Sequence, residues 1–131
     1  MKQAMLEHVN FTVQDPKKTA ARLCDLFGWK VRWQGPAKDG GFTVHVGADD
    51  AYLAVYSKGD AKPSESASYD RVGGLNHVGV VVDDLDAAEK KVVDAGLKPH
   101  SHADYEPGRR FYFHDDDGIE FEVVSYAKAQ D

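Results

Sequence analysis

Half a disulfide is all this sequence can supply. Its single cysteine, Cys24, has no partner within the chain, so stability does not come from internal cross-links, and a reducing interior is the default expectation. Long apolar runs are also missing. No stretch approaches the roughly 20 residues needed to cross a bilayer, and the N-terminus lacks the apolar core of a signal peptide. A cytoplasmic location with no membrane partner is the expectation. Positive charge is in deficit, with a formal net charge of −6 and a pI near 5.4. The charges of both signs are interspersed and no basic patch stands out, which argues against nucleic acid as a partner. What remains is sufficient for a real core: 131 residues with 42% hydrophobic and 11% aromatic content fit one ordinary domain.

The most informative positive feature is an internal repeat. Leu6-Glu7-His8-Val9-Asn10-Phe11-Thr12-Val13-Gln14-Asp15 aligns with Leu75-Asn76-His77-Val78-Gly79-Val80-Val81-Val82-Asp83-Asp84. Asp49 to Ser57 then aligns with Asp117 to Ser125, which sets Ala54 against Glu122. The duplication therefore carries two histidines and one carboxylate.

In the first copy, Val9, Phe11 and Val13 alternate with His8, Asn10 and Thr12, the period of a half-buried strand. Asp15-Pro16 opens a helix, with Asp as N-cap and Pro in the first turn, and Ala20, Leu23, Cys24 and Phe27 follow at helical spacing up to a Gly28 stop. Cys24 reads as buried helix filler. Strands are expected at 30–34, 42–46 and 51–57, separated by Gly35-Pro36 and Asp39-Gly40-Gly41 as turns. Residues 58–74 lose periodicity and read as a connector. The second copy has a strand at 76–82, a helix capped by Asp84 and stopped at Gly96, strands near 98–102, 110–114 and 119–126, and a tight turn at Asp115-Asp116-Asp117-Gly118. The fold class is α+β, as two βαβββ modules at 1–57 and 75–131 joined by the linker 58–74 in one structural domain.

Strand parity sorts the polar residues. Phe111 and Phe113 leave Arg110, Tyr112 and His114 on the opposite face; Phe121 and Val123 leave Glu120 and Glu122; Leu53 and Val55 leave Tyr52, Ala54 and Tyr56; Val44 and Val46 leave Thr43 and His45. Such a face either meets water or lines a cavity, and its content of His and Tyr favours the cavity. His100 and His102 read as members of a solvated edge.

Paired βαβββ modules, a histidine on the first strand of each, Asp-capped helices and the late Phe111-Tyr112-Phe113-x-Asp-x-Asp-Gly-x-x-x-Glu122 segment together resemble the vicinal oxygen chelate superfamily, which includes glyoxalase I, extradiol dioxygenases, fosfomycin-resistance thiol transferases and bleomycin-binding proteins. The resemblance covers nearly the whole chain. It implies a part-open mixed β barrel around a divalent metal (Fe, Mn, Ni, Co or Zn), with His8, His77 and Glu122 as ligands and Ala54 at the place of a fourth. Two imidazoles and a carboxylate leave coordination positions open, and open sites are more often catalytic than structural. Within this resemblance Tyr112, Glu120 and His45 are the candidate catalytic residues, and the substrate is a small molecule chelated through oxygen.

Ala54 departs from the usual glyoxalase I pattern, which places a carboxylate or glutamine there. The His-His-Glu set is closer to extradiol dioxygenases and fosfomycin transferases. Tyr112 fills the tyrosine place of the extradiol signature, but its accompanying histidine place holds Ala103, Asp104 and Tyr105. The reaction stays open between lyase or isomerase and ring-cleaving dioxygenase. The competing class is a metal-free binding protein of the bleomycin-resistance kind, whose ligand groove would use Trp29, Trp33, Tyr52 and Tyr56. A homodimer is implied by resemblance to small members of the superfamily.

Overall fold

The structure is a computed structural model and describes residues 2–105 and 108–127; the last residues of the expected second module, 128–131, lie outside that range. The elements in chain order are β1 (His8–Thr12), α1 (Pro16–Phe27), β2 (Lys30–Pro36), β3 (Phe42–Gly47), β4 (Tyr52–Ser57), β5 (Val78–Val81), α2 (Leu85–Asp94), β6 (His100–Tyr105), β7 (Gly108–His114) and β8 (Glu120–Ser125). Each half is therefore βαβββ within an α+β fold. The chain divides into two compact units, 1–64 and 65–131, and the division falls inside segment 58–74.

The two units repeat one topology. In the first, the strand order is β1-β4-β3-β2, with β1 parallel to β4 and the remaining neighbours antiparallel. The second is ordered β5-β8-β7-β6 by the same rules. In each case the first strand pairs with the last, because the helix carries the chain across the sheet before the meander returns.

Both helices begin as their sequences dictate. The Asp15 side chain accepts from the backbone N–H groups of Lys17 and Lys18, Pro16 fixes the first turn, and Gly28 ends α1 in a left-handed conformation at φ 69°. Asp84 caps α2 through the N–H of Ala87, and Gly96 follows the helix at φ 83°. Helix α1 lays Ala20, Leu23 and Leu26 against Val44, Val46, Leu53 and Val55. Helix α2 lays Ala88 and Val92 against the sheet that carries Phe111, Phe113, Phe121 and Val123, the last four fully buried. One face of each sheet is thus committed to the core, which leaves the alternate face to chemistry.

Three expectations are corrected by packing. Gly35-Pro36 is no turn: β2 runs through it, and the reversal comes at a 3-10 turn over Lys38–Gly40. Strand β2 lies at the edge of its sheet, where proline is tolerated, and a Cβ on Gly35 would meet the Trp33 ring at 2.8 Å. The connector is not featureless, since Ser68–Asp70 forms a 3-10 turn. Cys24 is half-buried rather than buried, because it lies at the flank of the apolar stripe of α1.

Candidate functional site

The polar face of the second unit converges on Glu122. Register places Tyr112 directly opposite Glu122 across β7 and β8, and His114 opposite Glu120. The Tyr112 hydroxyl donates to Glu122 Oε2 at 2.8 Å, and the Arg110 guanidinium donates to Oε1 at 3.0 Å. Together the two donors fix the plane of the carboxylate. Arg110 and Glu122 are 12% and 15% exposed, and the Tyr105 ring lies 4.7 Å from the guanidinium carbon. Arg110 is therefore the clamp of Glu122. Donating to Glu122, together with burial, pushes the Tyr112 phenol above its ordinary pKa, so it keeps its proton.

His77 stands immediately before β5, with its Nε2 3.2 Å from Glu122 Oε2. Its other nitrogen, Nδ1, lies 3.0 Å from the hydroxyl of Tyr69, which in turn donates to Glu120 Oε1 at 2.6 Å. A phenol has one proton to give, and a carboxylate can only accept. Tyr69 oxygen therefore accepts from His77, which puts a proton on Nδ1 and leaves Nε2 as the nitrogen nearest Glu122. This carboxylate–tyrosine–imidazole relay is the kind of support that orients metal-ligating histidines. The Tyr69 phenol is pushed up to about 12, first by its bond to Glu120 and then by burial. Tyr69 lies in the polar connector, and nothing in its sequence surroundings marked it.

Glu120 is shared. Its Oε1 serves the relay, while its Oε2 lies 3.3 Å from His114 Nε2. His100, expected on a solvated edge, packs instead against Tyr112 and His114, with ring centroids 6.2 and 5.0 Å apart. His102 does sit on the outer side, bonded to Glu89 of α2.

The polar face of the first unit is of a different kind. His8 heads β1, and its ring stacks on Tyr52 at 5.0 Å; Tyr52 stacks on His45 at 4.6 Å, and Trp33 meets His45 at 5.2 Å. Glu7 Oε1 accepts from the Tyr52 hydroxyl at 3.0 Å and pairs with His8 Nδ1 at 2.9 Å. The Arg32 guanidinium carbon lies 4.6 Å from the centre of the Tyr52 ring. Burial, with a smaller push from the charges of His8 and Arg32, lowers the His45 pKa, so this ring is neutral at physiological pH. Ala54, buried between Asn10 and His45, offers only a methyl group. Of the four aromatics expected to line a groove, Trp33 and Tyr52 belong to this stack. Trp29 packs on Phe27 instead, and the Tyr56 hydroxyl donates to the carbonyl of Lys38.

The glyoxalase/bleomycin resistance protein/dioxygenase superfamily model matches residues 5–123. The chain belongs to that superfamily. Solved structures share its fold. A glyoxylase/bleomycin resistance protein/dioxygenase domain from Frankia sp. EAN1pec aligns with TM-score 0.78 at 20% identity, over 95% of this chain and 98% of that one. TnmS3, an antibiotic binding protein from Streptomyces sp. CB03234, aligns with TM-score 0.72 at 18% identity, covering 95% and 98%. The fosfomycin resistance protein FosX from Listeria monocytogenes, complexed with Mn(II) and sulfate, aligns with TM-score 0.69 at 17% identity, covering 98% and 95%. No curated protein sequence matches the chain. Among the described residues no helix is long and apolar enough to cross a membrane.

Within this superfamily the donors of the second unit suit a divalent metal. His77 Nε2 and the clamped Glu122 Oε2 stand 3.2 Å apart, a separation fitting two ligands of one ion.

Proposed function

We propose that the chain is a metal-dependent enzyme of its superfamily, acting on a small substrate that chelates through oxygen, by lyase or isomerase chemistry or by extradiol-type dioxygenation. The observation that carries this is the preparation of His77 Nε2 and Glu122 Oε2 by separate supporting networks. Arg110 and Tyr112 hold the carboxylate, and Tyr69 with Glu120 holds the tautomer. His8 is the third ligand that the resemblance implies. The resident ion would be a borderline divalent metal of the Fe, Mn, Co, Ni or Zn group, supplying Lewis-acid stabilisation of an anionic substrate oxygen.

The remaining residues divide the work. Tyr112 is a donor that stays protonated, so its part is to position Glu122. Glu120 is committed to Tyr69 and His77, which makes it a positioning carboxylate. His45 is neutral and can accept a proton, and it is the candidate base. The stacked rings of His8, Tyr52 and His45 offer a surface for a planar substrate.

The test is metal content of untagged protein by mass spectrometry after anaerobic loading with iron, manganese, nickel or zinc. His77→Ala and Glu122→Gln each lose one equivalent relative to wild type, and ring cleavage of catechols or turnover of hemithioacetals then separates the two reaction types. Retention of that equivalent in both variants overturns the assignment. The same stack of rings favours a second reading, a metal-free binder of planar ligands. Saturable quenching of Trp33 fluorescence by such a ligand in fully chelated protein, with no turnover under any loading, would establish it instead.

A further inference from the structure

Two histidines beside Glu120 are not used by the chemistry above. His100 Nε2 lies 3.1 Å from His114 Nδ1, and one ligand atom from each of His100, His114 and Glu120 lies within 4.8 Å of the others. We propose that His100, His114 and Glu120 form a second divalent-metal site, taking a borderline ion such as zinc, cobalt or nickel and leaving coordination positions open to solvent.

Two independent features point this way. The first is spacing: a metal with M–N bonds of about 2.0–2.1 Å separates adjacent ligand nitrogens by roughly 2.9–3.4 Å, and the two imidazoles already stand 3.1 Å apart. Their present contact is a relay. The two rings share one hydrogen bond, His100 Nδ1 lies 2.9 Å from Ser101 Oγ, and Glu120 Oε2 lies 3.3 Å from His114 Nε2. A cation takes the place of the proton shared between the rings, which passes to the far nitrogen of the ring that held it, Nδ1 of His100 beside Ser101 Oγ or Nε2 of His114 beside Glu120, so both rings stay neutral and two lone pairs converge on the ion.

The second feature is the backbone. Strand β6 shifts register between His100 and Ala103, and Ser101 within that bulge takes the left-handed φ of 55°. Bulges re-aim side chains, and strained non-glycine residues gather at functional positions. Here the bulge allows His100 to stand over Tyr112 and next to His114, while His102 goes to the helix side and bonds Glu89. The ligands lie on β6, β7 and β8, three adjacent strands, so the site is assembled by one sheet of one unit. It does not depend on His8, nor on the reading of His77 and Glu122. Glu120 connects the two sites, presenting Oε1 to the relay and Oε2 to His114.

The experiment uses the untagged full chain, stripped with chelator and titrated with zinc chloride while long-range proton–nitrogen spectra of the histidine rings are recorded. In wild type the ring nitrogens of His100 and His114 shift and saturate, and they do so again in His77→Ala. In the double variant His100→Ala, His114→Ala, affinity for one zinc equivalent falls about 100-fold or more, since losing a ligand exceeds the 10–100-fold effect of losing an outer-shell partner, while the response of His77 is kept. Unmoved His100 and His114 signals at zinc excess, or undiminished affinity in the double variant, would overturn the proposal. A response at His100 and His114 with none at His77 would sustain it while refuting the enzyme site.

Discussion

Removing Glu122 tests the clamp on the proposed ligand and separates it from metal binding. Glu122→Ala leaves Arg110 with its NH1 donor unpaired and Tyr112 without an acceptor, on side chains of which only 12% and 15% of the Arg110–Glu122 pair is exposed. Breaking a fully buried pair from one side costs about 3–5 kcal/mol, and an exposed pair is worth about 0–1. At this exposure the expected loss in metal-free protein is about 2–4 kcal/mol. A chain of 131 residues has roughly 7–20 kcal/mol of stability by the usual per-residue range, so the variant still folds. Urea unfolding of chelated wild type, Glu122→Ala and the double variant Arg110→Met, Glu122→Ala measures it. The double variant should recover most of the loss, because an uncompensated charge rather than a missing carboxylate causes it. A difference below about 0.5 kcal/mol between wild type and Glu122→Ala, or a double variant no better than the single, would refute the clamp.

Three further outcomes follow from particular contacts. Tyr69→Phe deletes the hydroxyl between His77 and Glu120 and should weaken the metal bound at His77 about 10–100-fold, with little change in unfolding because Tyr69 is largely exposed; equal affinity by competitive chelation would dismiss the relay. Asp115 accepts from the N–H groups of Asp117 and Ile119, yet burial raises its pKa, so between its unfolded and folded values the folded state binds more protons and stability falls as pH rises through that window. Asp115→Asn keeps the acceptor without the charge and should be at least as stable at neutral pH, with a flatter acid profile in thermal melts; a loss above about 1 kcal/mol would contradict this. Phe113→Ala opens a cavity in the fully buried Phe111–Phe113–Phe121 cluster and should cost about 3–5 kcal/mol in urea unfolding, and a cost under about 1 would mean that the core is not where the structure puts it.

The architecture was legible where one local rule acts alone. Asp15-Pro16, Gly28, Asp84 and Gly96 bounded the helices because capping needs only near neighbours. Two-residue alternation assigned Phe111, Phe113 and Phe121 to the core and Tyr112 and Glu122 to the other face. Partners brought together by pairing were not legible. Arg110 and Glu122 meet because β7 runs antiparallel to β8, and Tyr69 meets His77 because the connector folds into a 3-10 turn, which no periodicity announces. Gly35-Pro36 misled because composition reports a turn whereas edge position decides.

The repeat also explains why the polar face of one unit gathers charged groups while that of the other stacks rings. Glu122 faces Tyr112 across β7 and β8, while Ala54, aligned with Glu122, faces His45 across β3 and β4. Glu120 aligns with Tyr52. Exchanging Glu for Ala and Tyr at these two places removes both charges that hold His77, Arg110 and Tyr69 in the second unit. With the charges gone, neighbouring rings need no polar partner on that face and close up on one another, His8 on Tyr52 and Tyr52 on His45. Glu7 then takes over the single polar task left, bonding His8 and the Tyr52 hydroxyl from the strand edge. If this division is causal, Ala54→Glu should convert the first face toward the second. It would set a carboxylate beside His45 and raise the His45 pKa from its lowered position, a change that histidine proton shifts against pH would detect. An unmoved His45 would mean that the new side chain does not share its face, and the equivalence of the two modules at the site would fail with it.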